Sequence, residues 1–158
     1  MLRSHVLPFV ADVFWEDENM ATATTTFRWT EKYSVNVDFI DKQHQRLFET
    51  INELNEALAH GEGATVVERV LQKLVDYVVG HFSAEEALLA KYKYPAVASH
   101  QAEHEKFTKA IAKFLEDHRA GKSGVPVSLI MFLQTWLKEH ILKNDKAYVE
   151  FLTSRGVR

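Results

Sequence analysis

Four runs of apolar residues spaced three and four apart, each carrying histidine where an apolar residue is due, constrain this chain more than any other feature. From Asp38, which suits an N-cap, the first run is Ile40, Leu47, Ile51, Leu54 and Leu58, with His44 filling the one gap. Gly61 and Gly63 end it. The second helix is expected over about 65–92, with Val67, Leu71, Leu74, Val78, His81, Glu85 and Leu88 as one unbroken stripe and Tyr94-Pro95 as its stop. The third, about 96–119, presents Val97, His100, His104, Phe107, Ile111 and Phe114. Gly121 and Gly124 close it, and Pro126 suits the first turn of a fourth helix whose inner face is Ile130, Leu133, Leu137 and His140. Seams of this kind belong to an all-α fold, and loops this short make neighbouring helices antiparallel. The expected architecture is an antiparallel up-and-down four-helix bundle with an N-terminal arm and a short C-terminal helix.

Composition narrows the chemistry. A chain of 158 residues with 46% apolar and 26% charged residues is an ordinary globule of one domain. A net charge of -3, without a basic stripe, gives no footprint for nucleic acid. The absence of cysteine excludes disulfides, zinc ribbons, iron–sulfur clusters and thiol catalysis. No apolar run approaches the length of about 20 residues needed to span a bilayer, and a cytoplasmic chain is expected; the sequence does not fix the oligomeric state, with a monomer favoured.

Residues 1–26 form a leader distinct from the bundle expected over 27–153, and 154–158 form a tail. The apolar stretch Val6 to Trp15 is interrupted by Pro8 and Asp12 and followed by the acids Glu16, Asp17 and Glu18. Ala21-Thr22-Ala23 matches a small-x-small cleavage site, but the apolar stretch before it is short and carries an acid, so a mobile or loosely docked leader is the expectation. Met20 is an alternative start.

Seven residues of metal-ligand type, His44, His81, Glu85, His100, His104, His140 and Asp145, lie on or at the ends of these helices. Antiparallel packing fixes their height. His44 lies about 9 Å into its helix, and His81 and Glu85 lie about 10–16 Å from the same end of the bundle, at 1.5 Å per residue. His100 and His104 come early in the third helix, and His140 late in the fourth. All therefore meet at one level, leaving a plain apolar half lined by Leu54, Leu58, Leu71, Leu74, Ile111 and Phe114. One spacing resists this: five residues separate His140 from Asp145, a rotation of about 140° on a regular helix. The helix must end, tighten or bulge between Ile141 and Asn144, before a short last helix over 146–152.

Five imidazoles and a carboxylate left unpaired in an apolar interior would cost several kcal/mol, which argues for metal over a purely hydrogen-bonded network. Nitrogen and oxygen donors without thiolate suit iron, manganese, zinc or copper. No histidine has Glu three residues before it, so the Glu-x-x-His repeat of ferritin-like carboxylate sites is missing. Divided three and two, with two bridging carboxylates and one bridging oxygen, the donors leave one of twelve octahedral positions open, on the metal with fewer histidines. His5, His60 and His118 serve as controls, expected to be solvated side chains. Asp41 is expected to serve the helix dipole rather than the imidazole of His44.

At this point the chain resembles the hemerythrin family, specifically its bacterial single-domain members, the bacteriohemerythrins. The likeness runs from Phe27 to about Leu152. It rests on Trp29 and Tyr33, Ile40-Asp41-Lys42-Gln43-His44, His81-Phe82-Ser83-Ala84-Glu85, Tyr94-Pro95, His100-Gln101-Ala102-Glu103-His104, and Trp136-Leu137 ahead of His140 and Asp145. The resemblance implies two non-heme iron ions per chain and no enzyme activity. It gives His100, His104 and His140 to the saturated iron, His44 and His81 to the iron with the vacant position, and Glu85 and Asp145 to bridging roles. It also implies dioxygen as the ligand, an oxygen-consuming enzyme as a partner, and a dry pocket lined by Leu137 and Trp136, with Phe48 a further candidate. Competing roles are oxygen or redox sensing through a separate partner, and reduction of nitric oxide or peroxide.

Overall fold

The computed structural model describes residues 26–158, so the readings of His5 and of most of the leader fall outside the described residues. A short 3-10 turn, Glu31–Tyr33, leads into α1 (Asp38–Ala59). Then follow α2 (Gly63–Tyr77), a π-helical turn (Val78–Phe82) and α3 (Ser83–Lys91), which run on as one rod. The remaining rods are α4 (Val97–Arg119), and α5 (Val125–Glu139) continued through a second π-helical turn (His140–Asp145) into α6 (Lys146–Thr153). α1 packs on α2 and α5, and α4 on the same two, which closes four rods into the expected bundle. No strand occurs among the described residues, and none of their helices is long and apolar enough to cross a membrane.

The rods stop where backbone chemistry stops them. Gly61 adopts φ +74°, and the amides of Gly61 and Glu62 return to the carbonyls of Leu58 and Ala57 at 3.1 and 2.7 Å. This is the left-handed closure that glycine permits. Gly121 closes α4 in the same way, its amide donating to His118 O at 2.9 Å. Gly63 differs from expectation: it opens α2 rather than ending α1, and a Cβ there would stand 2.7 Å from Leu58 Cδ2. Asp38 is the first helical residue and makes no cap bond; Val37 holds the cap position.

Two π-helical turns change the faces drawn from sequence. The unbroken stripe over the second helix does not survive the turn at 78–82. An extra residue per turn carries the buried face onto Phe82, Glu85 and Leu89, leaving Leu88 only half-buried. The second turn is the bulge required by the His140–Asp145 spacing. The described interior forms two apolar clusters. The larger includes Leu54, Leu71, Leu74 and Ile111, with Leu58 and Phe114 half-buried at its edge. The smaller, at the other end, joins Val35, Val37, Ile40, Leu89, Tyr148 and Leu152 with Val157 of the tail.

Candidate metal centre

Burying seven polar side chains in one bundle is costly unless they answer one another or a bound ion. His44, His81, Glu85, His100, His104, His140 and Asp145 are all buried, none more than 4% exposed. Donor atoms of Glu85, His100, His104 and His140 lie within 4.8 Å of one another, as do those of His44, His81 and Glu85, so Glu85 belongs to both groups. Asp145 spans them. Its Oδ1 is 3.1 Å from His140 Nε2 and 3.4 Å from His100 Nε2, while its Oδ2 is 3.4 Å from His44 Nε2. Glu85 Oε2 stands 3.0 Å from His100 Nε2, 3.1 Å from His104 Nε2 and 3.9 Å from His81 Nε2.

Protein hydrogen bonds do not satisfy this cluster. Both ring nitrogens of His44, Nε2 of His81 and both oxygens of Asp145 are buried without a hydrogen-bond partner, although Asp145 has imidazole nitrogens close by. His104 Nε2 and His140 Nε2 point at each other across 3.1 Å. Two donors bound at right angles, each about 2.1 Å from one ion, would stand about 3.0 Å apart. The spacing of these atoms thus fits cations, and two carboxylates with no lysine or arginine among them supply the negative charge.

Burial holds the His44 ring at about 4 and the His140 ring at about 3, with neighbouring imidazoles adding to the fall and Glu85 opposing it. His81 is likewise held well below the ordinary range by burial. These rings are therefore neutral near pH 7, the form that ligates metal. Burial would push the Glu85 carboxyl up, but hydrogen bonds from His100 and His104 outweigh it and hold the group well below its usual range. Asp145, buried beside Glu85, is pushed well above it. Two adjacent carboxylates cannot both ionise cheaply without a cation.

A ring of outer contacts orients the cluster, and sequence reasoning missed most of it. His104 Nδ1 donates to Glu86 Oε1 at 2.8 Å, and Gln101 Nε2 donates to the other Glu86 oxygen at 3.1 Å. His81 Nδ1 donates to Gln43 Oε1 at 2.9 Å, and Asn144 lies 3.3 Å from His140 Nδ1. Tyr148 donates its hydroxyl to Glu85 Oε1 at 2.5 Å. Phe82 lies flat on His104 at 3.7 Å, and Tyr77 stacks on His81 at 4.6 Å. Only the spacing of Asn144, one turn after His140, and the place of Glu86, next to Glu85, offered a signal.

The other expected site residues take distinct places. Leu137 is fully buried, and Trp136 is half-buried, stacked on His140 at 4.3 Å on the three-histidine side. Phe48 packs among Phe27, Trp29 and Tyr33. Asp41 lies in the first turn of α1, where the helix dipole favours it, and makes no bond to His44. Its carboxylate also accepts the Val35 amide at 2.8 Å and the Ser34 hydroxyl at 2.6 Å, tying the arm to α1. His60 is exposed as expected, whereas His118 pairs with Glu68 at 3.0 Å. A groove of about 420 Å³ between α1 and α2 ends on Gln43, Tyr77 and His81.

Fold and cluster together define a helical bundle built to hold cations. The chain belongs to the hemerythrin family: the sequence model of the hemerythrin HHE cation binding domain matches residues 35–152. It is 36% identical to a bacteriohemerythrin of Methylococcus capsulatus, over 76% of this chain and 92% of that protein. It is 33% identical to a hemerythrin-like protein of Naegleria gruberi, over 80% of this chain and 94% of that protein. A crystal structure of wild-type hemerythrin superposes with TM-score 0.71 at 35% identity, covering 78% of this chain and 95% of that one.

Proposed function

We propose that this protein binds dioxygen reversibly at a non-heme di-iron centre, for storage or for delivery to an oxygen-consuming enzyme, and is not itself an enzyme. The observation that carries the reading is the division of donors, three imidazoles to one side and two to the other, with Glu85 and Asp145 between them. His100, His104 and His140 would hold one iron, His44 and His81 the other, and the two carboxylates both. The iron pair, when bound, would supply reversible dioxygen chemistry on the side with fewer protein donors. Bacteriohemerythrin names among the relatives support the same reading.

The chain's own residues orient and dry the site. Gln43 holds His81 by Nδ1 and so leaves Nε2 free to face the cluster. Glu86 does the same for His104, with a carboxylate that raises the basicity of the ring. Tyr148 fixes one oxygen of Glu85 and leaves the other facing both histidine groups. Leu137, Trp136 and Phe48, all part of the larger apolar cluster, would limit the entry of water.

The groove that reaches His81 favours a second reading, di-iron reduction of nitric oxide or peroxide, because reduction needs access for a donor. An anaerobic-to-aerobic optical titration, with iron quantified on the same sample, tests the choice. Two irons per chain and a reversible spectral change are expected. One metal per chain, mainly zinc, or a rapid irreversible oxidation would refute the carrier reading.

A further inference from the structure

The two-histidine side leans on the N-terminal arm. His44 is fully buried, yet neither ring nitrogen has a protein hydrogen bond. Aromatic residues cover it. Trp29 lies 6.4 Å from the His44 ring and packs edge-on to Phe48 at 5.4 Å, and Phe27 stacks on Phe48 at 4.9 Å. Apart from the turn at Glu31–Tyr33, these arm residues have no regular backbone structure to hold them, and such segments open locally at small free-energy cost.

The arm is tied at both ends. Asp41 and Lys146 hold Ser34 and Val35. At the far end, Asn52 meets both backbone groups of Phe27: the Phe27 amide donates to Asn52 Oδ1 at 2.7 Å, and Asn52 Nδ2 donates to the Phe27 carbonyl at 3.0 Å. A carboxamide carries both a donor and an acceptor at this reach; a carboxylate lacks the donor and an aliphatic chain lacks both. Asn52 lies on α1 two turns after His44 and one after Phe48, so it anchors the arm on the helix face it covers. Lys138 of α5, its Nζ 5.3 Å from the Phe27 ring, extends the same contact to a second rod.

We propose that Asn52 is the latch that keeps the aromatic arm closed over His44 and thereby keeps water from that ring. It acts through the arm and is a positioning residue. Its consequence for the iron-loaded protein rests on the function proposed above.

The test is hydrogen–deuterium exchange of residues 27–34 in the full chain, wild type against Asn52→Leu and Asn52→Asp. The Leu variant should exchange about tenfold faster there, as loss of two hydrogen bonds implies, with α4 unchanged. The Asp variant keeps the acceptor for the Phe27 amide and should fall between, which also guards against a Leu variant that misfolds. On iron-loaded protein, the lifetime of the oxygenated form should shorten in the same order. Unchanged exchange in the arm overturns the latch. Faster exchange with an unaltered lifetime overturns its role in excluding water. If wild-type protein takes up no iron, the functional reading falls, while arm exchange still decides the latch.

Discussion

The two sides of the cluster are held by different means. On the three-histidine side, hydrogen bonds and flat aromatic contacts fix the rings: Glu86 and Gln101 behind His104, Asn144 beside His140, Phe82 and Trp136 stacked on them. On the two-histidine side, His81 has Gln43 and Tyr77, but His44 makes no hydrogen bond, with Asp145 Oδ2 3.4 Å from its Nε2, and is kept in place mainly by packing. One half of the site is built for rigid, basic donors; in the other, the His44 ring is shielded by apolar packing. Under the function proposed above, with one ion saturated and its neighbour open, that asymmetry has a use.

Removing the residues shared by both sides should do the most damage. Asp145→Ala is expected to abolish stable loading of both irons, whereas His81→Ala should leave one iron per chain and no reversible oxygen spectrum. Metal analysis with optical spectra separates the two, and an unaffected oxy spectrum in His81→Ala would sink its assigned role.

Acid should act on both sides at once. Burial holds His44 at about 4 and His140 at about 3 in the folded chain, against 6.5 when unfolded. As pH falls below 6.5, the unfolded chain takes up protons that the folded chain refuses, so stability present above that pH is lost down to about 4 and below. His104, whose ring is raised by its bonds to Glu85 and Glu86 against the opposing effect of burial, works in the other direction, as does Asp145. His81 and Glu85 side with His44. At about 1.4 kcal/mol per pKa unit, His44 alone would cost metal-free protein about 3 kcal/mol. Denaturant titrations of metal-free protein at pH 7 and pH 4.5 check the sign.

Outer contacts should matter less, and unequally. Glu86→Gln is expected to weaken metal binding about 10–100-fold, the usual effect of losing such a partner, and Gln43→Leu to weaken it less. Competition with a chelator gives both numbers; a larger effect from Gln43 would reverse the order of the two sides. Smallest of all, His60→Ala should stay within about 0.5 kcal/mol of wild type in thermal unfolding, since its exposed ring only meets Glu56 O.

Much of the cluster was legible because its donors are local signals. Each histidine replaces an apolar residue at helical spacing, and direction alone puts them at one height. The five-residue step from His140 to Asp145 even announced its own bulge, because no regular turn brings both inward. The π turn at 78–82 gave no such warning. His81 and Glu85 are four apart, an ordinary spacing, and Gly80 between Val79 and His81 was the one irregular residue.

By itself, then, the sequence determined four amphipathic rods, the identity of seven inward donors and their common level, since periodicity and chain direction are properties of residues a few positions apart. Only the tertiary structure decided which face Leu89 rather than Leu88 would bury, that Tyr148 would reach Glu85 across 63 residues of sequence, and that Asn52 would grip Phe27 across 25. Such contacts join segments whose relative placement depends on how whole rods pack, and no spacing along one helix encodes them.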